Sequence, residues 1–276
     1  MAIATPIPIV TERAPLPEGA SESSDAVATY YDALDAYDSL YADPVSHAED
    51  AAVRALVART LQLRPGSRVL DLGCGTGFGS RILPGMRYVG VDISRRMLAN
   101  ADARSGNASL LLADFERLTF RQGSLDALVS FYGSLSHAER PERMIERVYD
   151  WLRPGGQFLL MFYSRYSMRN LFDTVFRMNP GFIKPYRPYS IRNCGMSCPP
   201  PLDVHFFSAS DLYRLFAGFS DVRVSGLNGL WELPALNRVL RSCRFLASPA
   251  VSGEARLLRG PAANLGFSLI ATGRKP

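Results

Sequence analysis

The stretch Val69-Leu70-Asp71-Leu72-Gly73-Cys74-Gly75-Thr76-Gly77-Phe78-Gly79 constrains this chain more than any other. The turn pair Pro65-Gly66 precedes an apolar run that reads as a buried strand. A glycine-rich turn follows, and a helix opens near Phe78-Gly79-Ser80. Glycines at alternate positions let the backbone turn sharply and approach a ligand that a β-carbon would strike. The helix start beyond them offers unpaired N–H groups and the positive end of a dipole, which suit an anionic group. The dinucleotide fingerprint G-x-G-x-x-G fails on spacing. Counted from Gly73 its last glycine falls at Phe78, and counted from Gly75 it falls at Ser80. The pattern is instead Asp-x-Gly-x-Gly-x-Gly, with a carboxylate in the strand end.

That pattern resembles motif I of the class I S-adenosylmethionine-dependent methyltransferases. The resemblance implies that Asp71, Gly73, Cys74, Gly75 and Gly77 hold S-adenosylmethionine, the acid suiting its ammonium and sulfonium. Upstream, a helical region begins at Ser24 and carries Tyr30-Tyr31-Asp32 and Tyr37-Asp38 before Asp43-Pro44 breaks the pattern. These tyrosines read as core-packing residues of an amphipathic helix. The paired Tyr-Asp pattern also resembles one ahead of motif I in small-molecule methyltransferases, which implies that Tyr31 and Tyr37 close over the cofactor. A second helix is expected from about Ala48 to Leu63.

After the glycine loop, Arg87 to Val91 reads as a second strand ending in Asp92. An acid about twenty residues past such a loop sits where nucleotide folds place a carboxylate on the ribose hydroxyls. Ile93 then lies against the adenine, and Asp92 also reads as an N-cap for the helix Arg95 to Arg104. A third strand, Ala108 to Leu112, leads to Asp114-Phe115. The resemblance places Asp114 on the adenine amine and Phe115 beside it. The fourth strand, Ala127 to Phe131, runs into Tyr132-Gly133-Ser134-Leu135-Ser136-His137, with Phe131 at the cofactor. Arg153-Pro154-Gly155-Gly156 turns into a fifth strand, Gln157 to Phe162, another feature shared with that family.

Strands that alternate with helices and end in ligand groups imply an α/β, doubly wound, mostly parallel sheet with its site at the carboxyl ends. The resemblance spans roughly Tyr30 to Tyr163. It adds a seven-stranded sheet closed by an antiparallel hairpin, here Ser220 to Gly226 and Leu265 to Thr272, after the helix Ala209 to Ala217. Residues 24–276 form the expected domain, with 24–64 as a helical cap and 164–207 as a lid inserted after strand five. Residues 1–23, rich in Pro, Ala, Ser and Glu, read as a disordered tail.

The inserted stretch mixes Arg165, Arg169, Arg177, Arg187 and Arg192 with many aromatics. Aromatic walls with arginines suit a flat or apolar acceptor bearing an anionic group, with Tyr163, Arg187 and Arg192 as its contacts. A structural cap with solvated arginines is the alternative. For base chemistry His137 leads, after the fourth strand and with a side chain that titrates in the useful range; it also reads as a loop-fixing residue. Tyr132 is placed to orient the acceptor, and His205 is the alternative base.

Composition limits the rest. The 276 residues are 47% apolar, enough for one substantial core. No apolar run reaches the ~18–20 residues that span a bilayer, and the start of the chain lacks a secretory pattern, so a cytoplasmic location without membrane attachment is expected. The net charge of +5 is carried almost wholly by arginine, without a nucleic-acid module. The Asn/Asp-Pro-Pro-aromatic motif of base amino-methylation is replaced by Phe131-Tyr132-Gly133-Ser134, and no nucleic-acid partner is expected. Cys194 and Cys198 with His205 form too loose a set for a metal. The leading function is methyl transfer to a small molecule, of secondary-metabolite type, by a monomer or homodimer. The alternative is a protein that uses the same cofactor as scaffold for a non-methyl reaction such as a cyclisation. The helix Pro234 to Leu246 is apolar and basic, and reads as an insertion between the last two strands with a dimer role.

Overall fold

The computed structural model describes residues 9–10, 21–105, 108–191, 198–242 and 244–276. The chain enters with β1 (Ile9–Val10), α1 (Ser21–Asp32), a 3-10 turn at Tyr37–Tyr41 and α2 (Pro44–Thr60). The tail reading falls mostly outside the described residues, but Ile9 and Val10 pair antiparallel with Phe120 and Thr119. Asp43-Pro44 does not simply break a helix; it starts the next one. The Asp43 carboxylate accepts from the Val45 and Ser46 N–H groups, and Pro44 takes the first helical position, where no donor is needed.

Strands and helices then alternate: β2 (Arg68–Leu72), α3 (Phe78–Ile82), β3 (Arg87–Asp92), α4 (Arg95–Ser105) and β4 (Ser109–Leu112). After the short β5 (Thr119–Phe120) come β6 (Leu125–Ser130), α5 (Pro141–Trp151) and β7 (Leu152–Tyr163). The inserted segment holds α6 (Met168–Phe176) and two strands, β8 (Tyr186–Tyr189) and β9 (Leu202–His205). Last are α7 (Ala209–Leu215), β10 (Ser220–Leu227), α8 (Pro234–Ser242), α9 (Arg244–Leu257) and β11 (Ser268–Arg274).

Seven strands form one sheet in the order β10-β11-β7-β6-β2-β3-β4. The strands β4, β3, β2, β6 and β7 are parallel, β11 runs antiparallel to β7, and β10 runs antiparallel to β11. The order reverses between β2 and β6, so a crevice opens beyond their carboxyl ends. Pairing of Tyr163 with Ser268, and of Ser268 with Leu227, brings the antiparallel hairpin to the same end.

Alternating side chains divide the core between the two faces of the sheet. Leu70, Leu72, Val91, Leu128, Phe158 and Leu160 pack with residues of α5 and α7. Val69, Tyr88, Val129, Leu159 and Met161 pack with residues of α2 and α9. Within the inserted segment, β8 and β9 form a hairpin that pairs Tyr186 with His205 and Tyr189 with Leu202. The expected helix Pro234 to Leu246 becomes two helices, α8 and α9. No helix among the described residues is long and apolar enough to cross a membrane.

Candidate active site

A cavity opens at the carboxyl ends of β2, β3, β6 and β7, where the topology places a crevice. Gly73, Cys74 and Gly75 form one wall, Asp92 and Ile93 the next, and Phe115, Phe131, Tyr132, His137 and Tyr163 continue it. The glycine loop is shaped for this. Gly73 has φ +71°, and a β-carbon there would lie 2.3 Å from Ser134 Cβ. Gly75 has φ +52°, and a β-carbon there would meet no protein atom within 4 Å. Backbone folding requires the first glycine, whereas the second keeps open the space beside the cavity. Gly77, also at positive φ, caps α3 and is not among the lining residues.

Asp92 is buried, and its carboxylate accepts from Gly75 N–H at 2.8 Å and from Ser94 N–H at 2.9 Å. Burial pushes its pKa up to about 6, against the lowering effect of these N–H bonds. Such a carboxylate, set in the wall of the cavity with lone pairs to spare, fits a ligand that brings hydroxyl donors.

The two Tyr-Asp pairs divide their labour. Tyr31 and Tyr37 face the cavity. Asp32 accepts from the Ser94 hydroxyl at 2.6 Å, just beyond β3, and Asp38 accepts from the Thr76 hydroxyl at 2.7 Å in the glycine loop. The carboxylates thus pin α1 and the Tyr37–Tyr41 turn over the strand tips, and the tyrosines are carried in with them. The Tyr-Asp pattern by itself marks the tyrosines; the task of the acids depends on Ser94 and Thr76, which only folding brings near.

At one end of the cavity α2 and α3 contribute Ser46, Glu49, Asp50 and Arg81. The Tyr132 hydroxyl donates to Asp50, and Tyr132 itself sits at φ 54°, a conformation rare for a side chain of that size. Arg81 donates to the Thr76 carbonyl at 2.8 Å. Carboxylates and a guanidinium together suit an amino-acid zwitterion. The sequence signal was available: Ser46, Glu49 and Asp50 sit one turn apart on α2, but nothing in the sequence tells which face of that helix meets the crevice.

The other end is aromatic. Tyr31, His137, Tyr163, Tyr189 and Phe267 line it. The rings of Tyr31 and His137 lie 5.7 Å apart, those of His137 and Tyr163 6.0 Å, and those of Tyr163 and Tyr189 4.4 Å. Gly133 makes room for this edge-to-face cluster, since a β-carbon there would lie 2.5 Å from the Tyr163 ring. His137 Nε2 stands 3.1 Å from the Tyr31 hydroxyl. Burial pushes the imidazole down to about 4, so it is neutral at physiological pH.

Several expected contacts lie elsewhere. Asp71, next to last in β2, is not among the residues lining the cavity. The two-residue alternation of β2 turns it to the sheet face beneath α3, where it accepts from the Tyr88 hydroxyl at 2.5 Å and fills the space that a Gly79 side chain would need. Asp114 is bound by its own turn. It accepts from the Glu116 N–H at 2.8 Å and the Ser24 hydroxyl at 2.7 Å and pairs with Arg117, so only Phe115 of that pair lines the cavity. His205 packs on Tyr186 and faces a separate groove with Glu142 and Arg214. Arg187 lies 3.6 Å over the Phe206 ring and donates to Asn170 at 2.9 Å, outside the cavity lining. Arg192 and Cys194 fall outside the described residues; the Cys198 thiol sits 3.5 Å from the Tyr30 hydroxyl. With Arg187 used in packing, the expected anion site keeps no described arginine.

A family profile described as "Methyltransferase domain" matches residues 70–160, which run from β2 through β7 and contain the glycine loop, Asp92 and His137. Residues 70–160 match a methyltransferase domain, and the chain has the class I methyltransferase fold. The demethylmenaquinone methyltransferase of Beutenbergia cavernae is 32% identical over 142 residues, covering 51% of this chain and 58% of that enzyme. Among solved structures, the Haloferax volcanii protein described as a putative methyltransferase in complex with the Trm112 methyltransferase activator superposes with a TM-score of 0.59. It is 24% identical, and the match covers 91% of this chain and 97% of that one. The magnesium protoporphyrin IX methyltransferase of Synechocystis PCC 6803, solved with S-adenosylhomocysteine, gives a TM-score of 0.58 at 16% identity over 91% of this chain and 99% of that one. These structural likenesses establish the fold, including the seven-stranded sheet with its antiparallel closing hairpin. The chain spans about half the length of curated relatives that it matches, or less. Outside the methyltransferase domain, the cap of α1 and α2 and the β8–β9 hairpin complete the cavity.

Proposed function

We propose that this protein transfers the methyl group of S-adenosylmethionine to a small aromatic or apolar acceptor. The observation that carries the reading is the polarity of one continuous cavity. Ser46, Glu49, Asp50 and Arg81 stand at one end, Asp92 and Ile93 in the wall, and the ring cluster of Tyr31, His137, Tyr163 and Tyr189, mostly edge to face, at the other. The first group suits the amino-acid moiety, Asp92 the ribose hydroxyls, and Ile93 with Phe115 the adenine faces.

When bound, the cofactor supplies an electrophilic methyl carbon on a good leaving group. The chain's own task is then to align an acceptor and exclude water, and positioning of this kind accounts for as much as ~7–11 kcal/mol of a barrier. Tyr31 and Tyr37 close the cavity from above, because Asp32 and Asp38 anchor their segments to the loops after β3 and β2. Neutral His137 orients an acceptor and holds Tyr31. A cavity roofed by α1 and the β8–β9 hairpin suits a small biosynthetic intermediate better than a base held in a polynucleotide.

Calorimetry with S-adenosylhomocysteine and NADH, followed by S-adenosylhomocysteine release from a panel of phenols, quinols and aromatic amines, tests the reading. Binding of the homocysteine compound and product release with at least one uncharged aromatic are expected. Tight NADH binding, or acceptor turnover without S-adenosylhomocysteine release, would overturn it.

A further inference from the structure

The helices inserted between β10 and β11 present an apolar and basic outer surface. Along α9, Ala247, Val251 and Glu254 turn inward, and Leu258 continues this buried side just past the helix end. Phe245 and Leu246 point the other way, and Leu257, about three turns on, returns to their side. Phe245 is 92% exposed, Leu257 75%, and Val239 and Leu246 53% each. Single exposed apolar residues are ordinary, but five on one pair of helices, with Leu236 the fifth, are not.

The charges around them have one sign. Arg238 on α8 and Arg256 and Arg259 at the end of α9 are exposed. No acid occurs between Pro234 and Gly253. Glu254 is buried and receives the N–H groups of Gly229 and Leu230. The neighbouring α2 continues the pattern: Arg54 and Arg59 are exposed, whereas Glu49 is buried and Asp50 is bound by Tyr132. The acids of this layer therefore turn inward, and the outer charges are guanidinium groups.

We propose that the α8–α9 surface docks on an anionic lipid surface, with Phe245 and Leu246 entering the interface and the arginines meeting the headgroups. Helices that lie in a membrane interface combine these two features, aromatic and aliphatic side chains on one side and basic residues at its border. A second copy of the chain is a poorer occupant, because a two-fold contact would set like charges against each other. A polynucleotide would use the arginines and leave Phe245 and Leu246 without a role. The proposal stands apart from the methyl-transfer reading, since none of Arg238, Val239, Phe245, Leu246, Arg256, Leu257 and Arg259 lines the cavity.

Co-sedimentation of the full chain with vesicles of phosphatidylcholine, with and without equal phosphatidylglycerol, is the test. Binding at least ~10-fold tighter to the anionic vesicles, and weakened at high salt, is expected. Phe245→Glu with Leu246→Glu should lower that affinity by ~10-fold or more, with S-adenosylhomocysteine binding unchanged as the control for folding. Arg238→Glu with Arg256→Glu should weaken binding to anionic vesicles alone. The proposal falls if the two vesicle types bind equally. It also falls if the Phe245 variant instead dissociates a dimer seen by light scattering, or if a DNA oligonucleotide displaces the vesicles and binds the Phe245 variant undiminished.

Discussion

The Tyr31 hydroxyl and His137 Nε2, 3.1 Å apart, join the cap helix α1 to the turn that follows β6. The pair lies 106 residues apart in sequence and closes the roof of the cavity on its floor. A net hydrogen bond of this kind contributes about 0.5–1.5 kcal/mol. Tyr31→Phe is therefore expected to weaken S-adenosylhomocysteine binding by ~2- to 10-fold, as read by calorimetry, and to speed proteolysis in α1.

His137 is expected to act through position. Its imidazole, pushed by burial down to about 4, is neutral at neutral pH and is a weak proton acceptor. His137→Gln, whose amide still reaches Tyr31, should keep kcat within ~10-fold, and the rate should show no inflection between pH 5 and 8 from this group. A loss of ~10²–10⁴-fold in His137→Gln would assign general-base catalysis instead.

Asp92 gives binding a pH dependence. Ligand hydroxyls donate best to an ionised carboxylate, and burial holds this one at about 6. Affinity for S-adenosylhomocysteine should fall as pH drops through 6 and level off above 7. Asp92→Asn should remove the dependence and weaken binding roughly 10- to 100-fold, the worth of charge-assisted hydrogen bonds.

Asp71 affects stability rather than binding. Burial raises its carboxyl from an ordinary 3.8 to about 7, so the folded chain keeps a proton that the unfolded chain has lost. Stability from this group therefore rises as pH falls from 7 towards 4 and is lost as pH rises through 7. Urea denaturation at pH 5 and pH 8 should show a smaller difference in Asp71→Asn than in the parent.

The two loop glycines should separate folding from binding. Gly73→Ala drives a β-carbon to 2.3 Å from Ser134 and is expected to lower the melting temperature sharply. Gly75→Ala meets no protein atom and carries only the left-handed penalty of about 1–2 kcal/mol, so it should fold and bind the ligand poorly.

Arg187→Ala tests the displaced anion site. With the guanidinium stacked on Phe206 and bonded to Asn170, the change should cost stability and leave the acceptor KM within ~2-fold.

Local chemistry in the chain was enough to set the strands of the seven-stranded sheet, the glycine turn, the acid that ends β3 and the order of these elements. Each depends on neighbours within a few residues: alternation fixes a strand, and glycine fixes a positive φ. The fates of Asp71, Asp114 and Arg187 depended on what arrived from elsewhere. Tyr88 claimed the first, Ser24 the second, and Phe206 with Asn170 the third. The polar end of the cavity was likewise decided by which face of α2 meets the sheet. Spacing along a chain specifies backbone geometry, but a charged side chain goes to whichever partner the packing brings within about 3 Å, and only the tertiary structure chooses that partner.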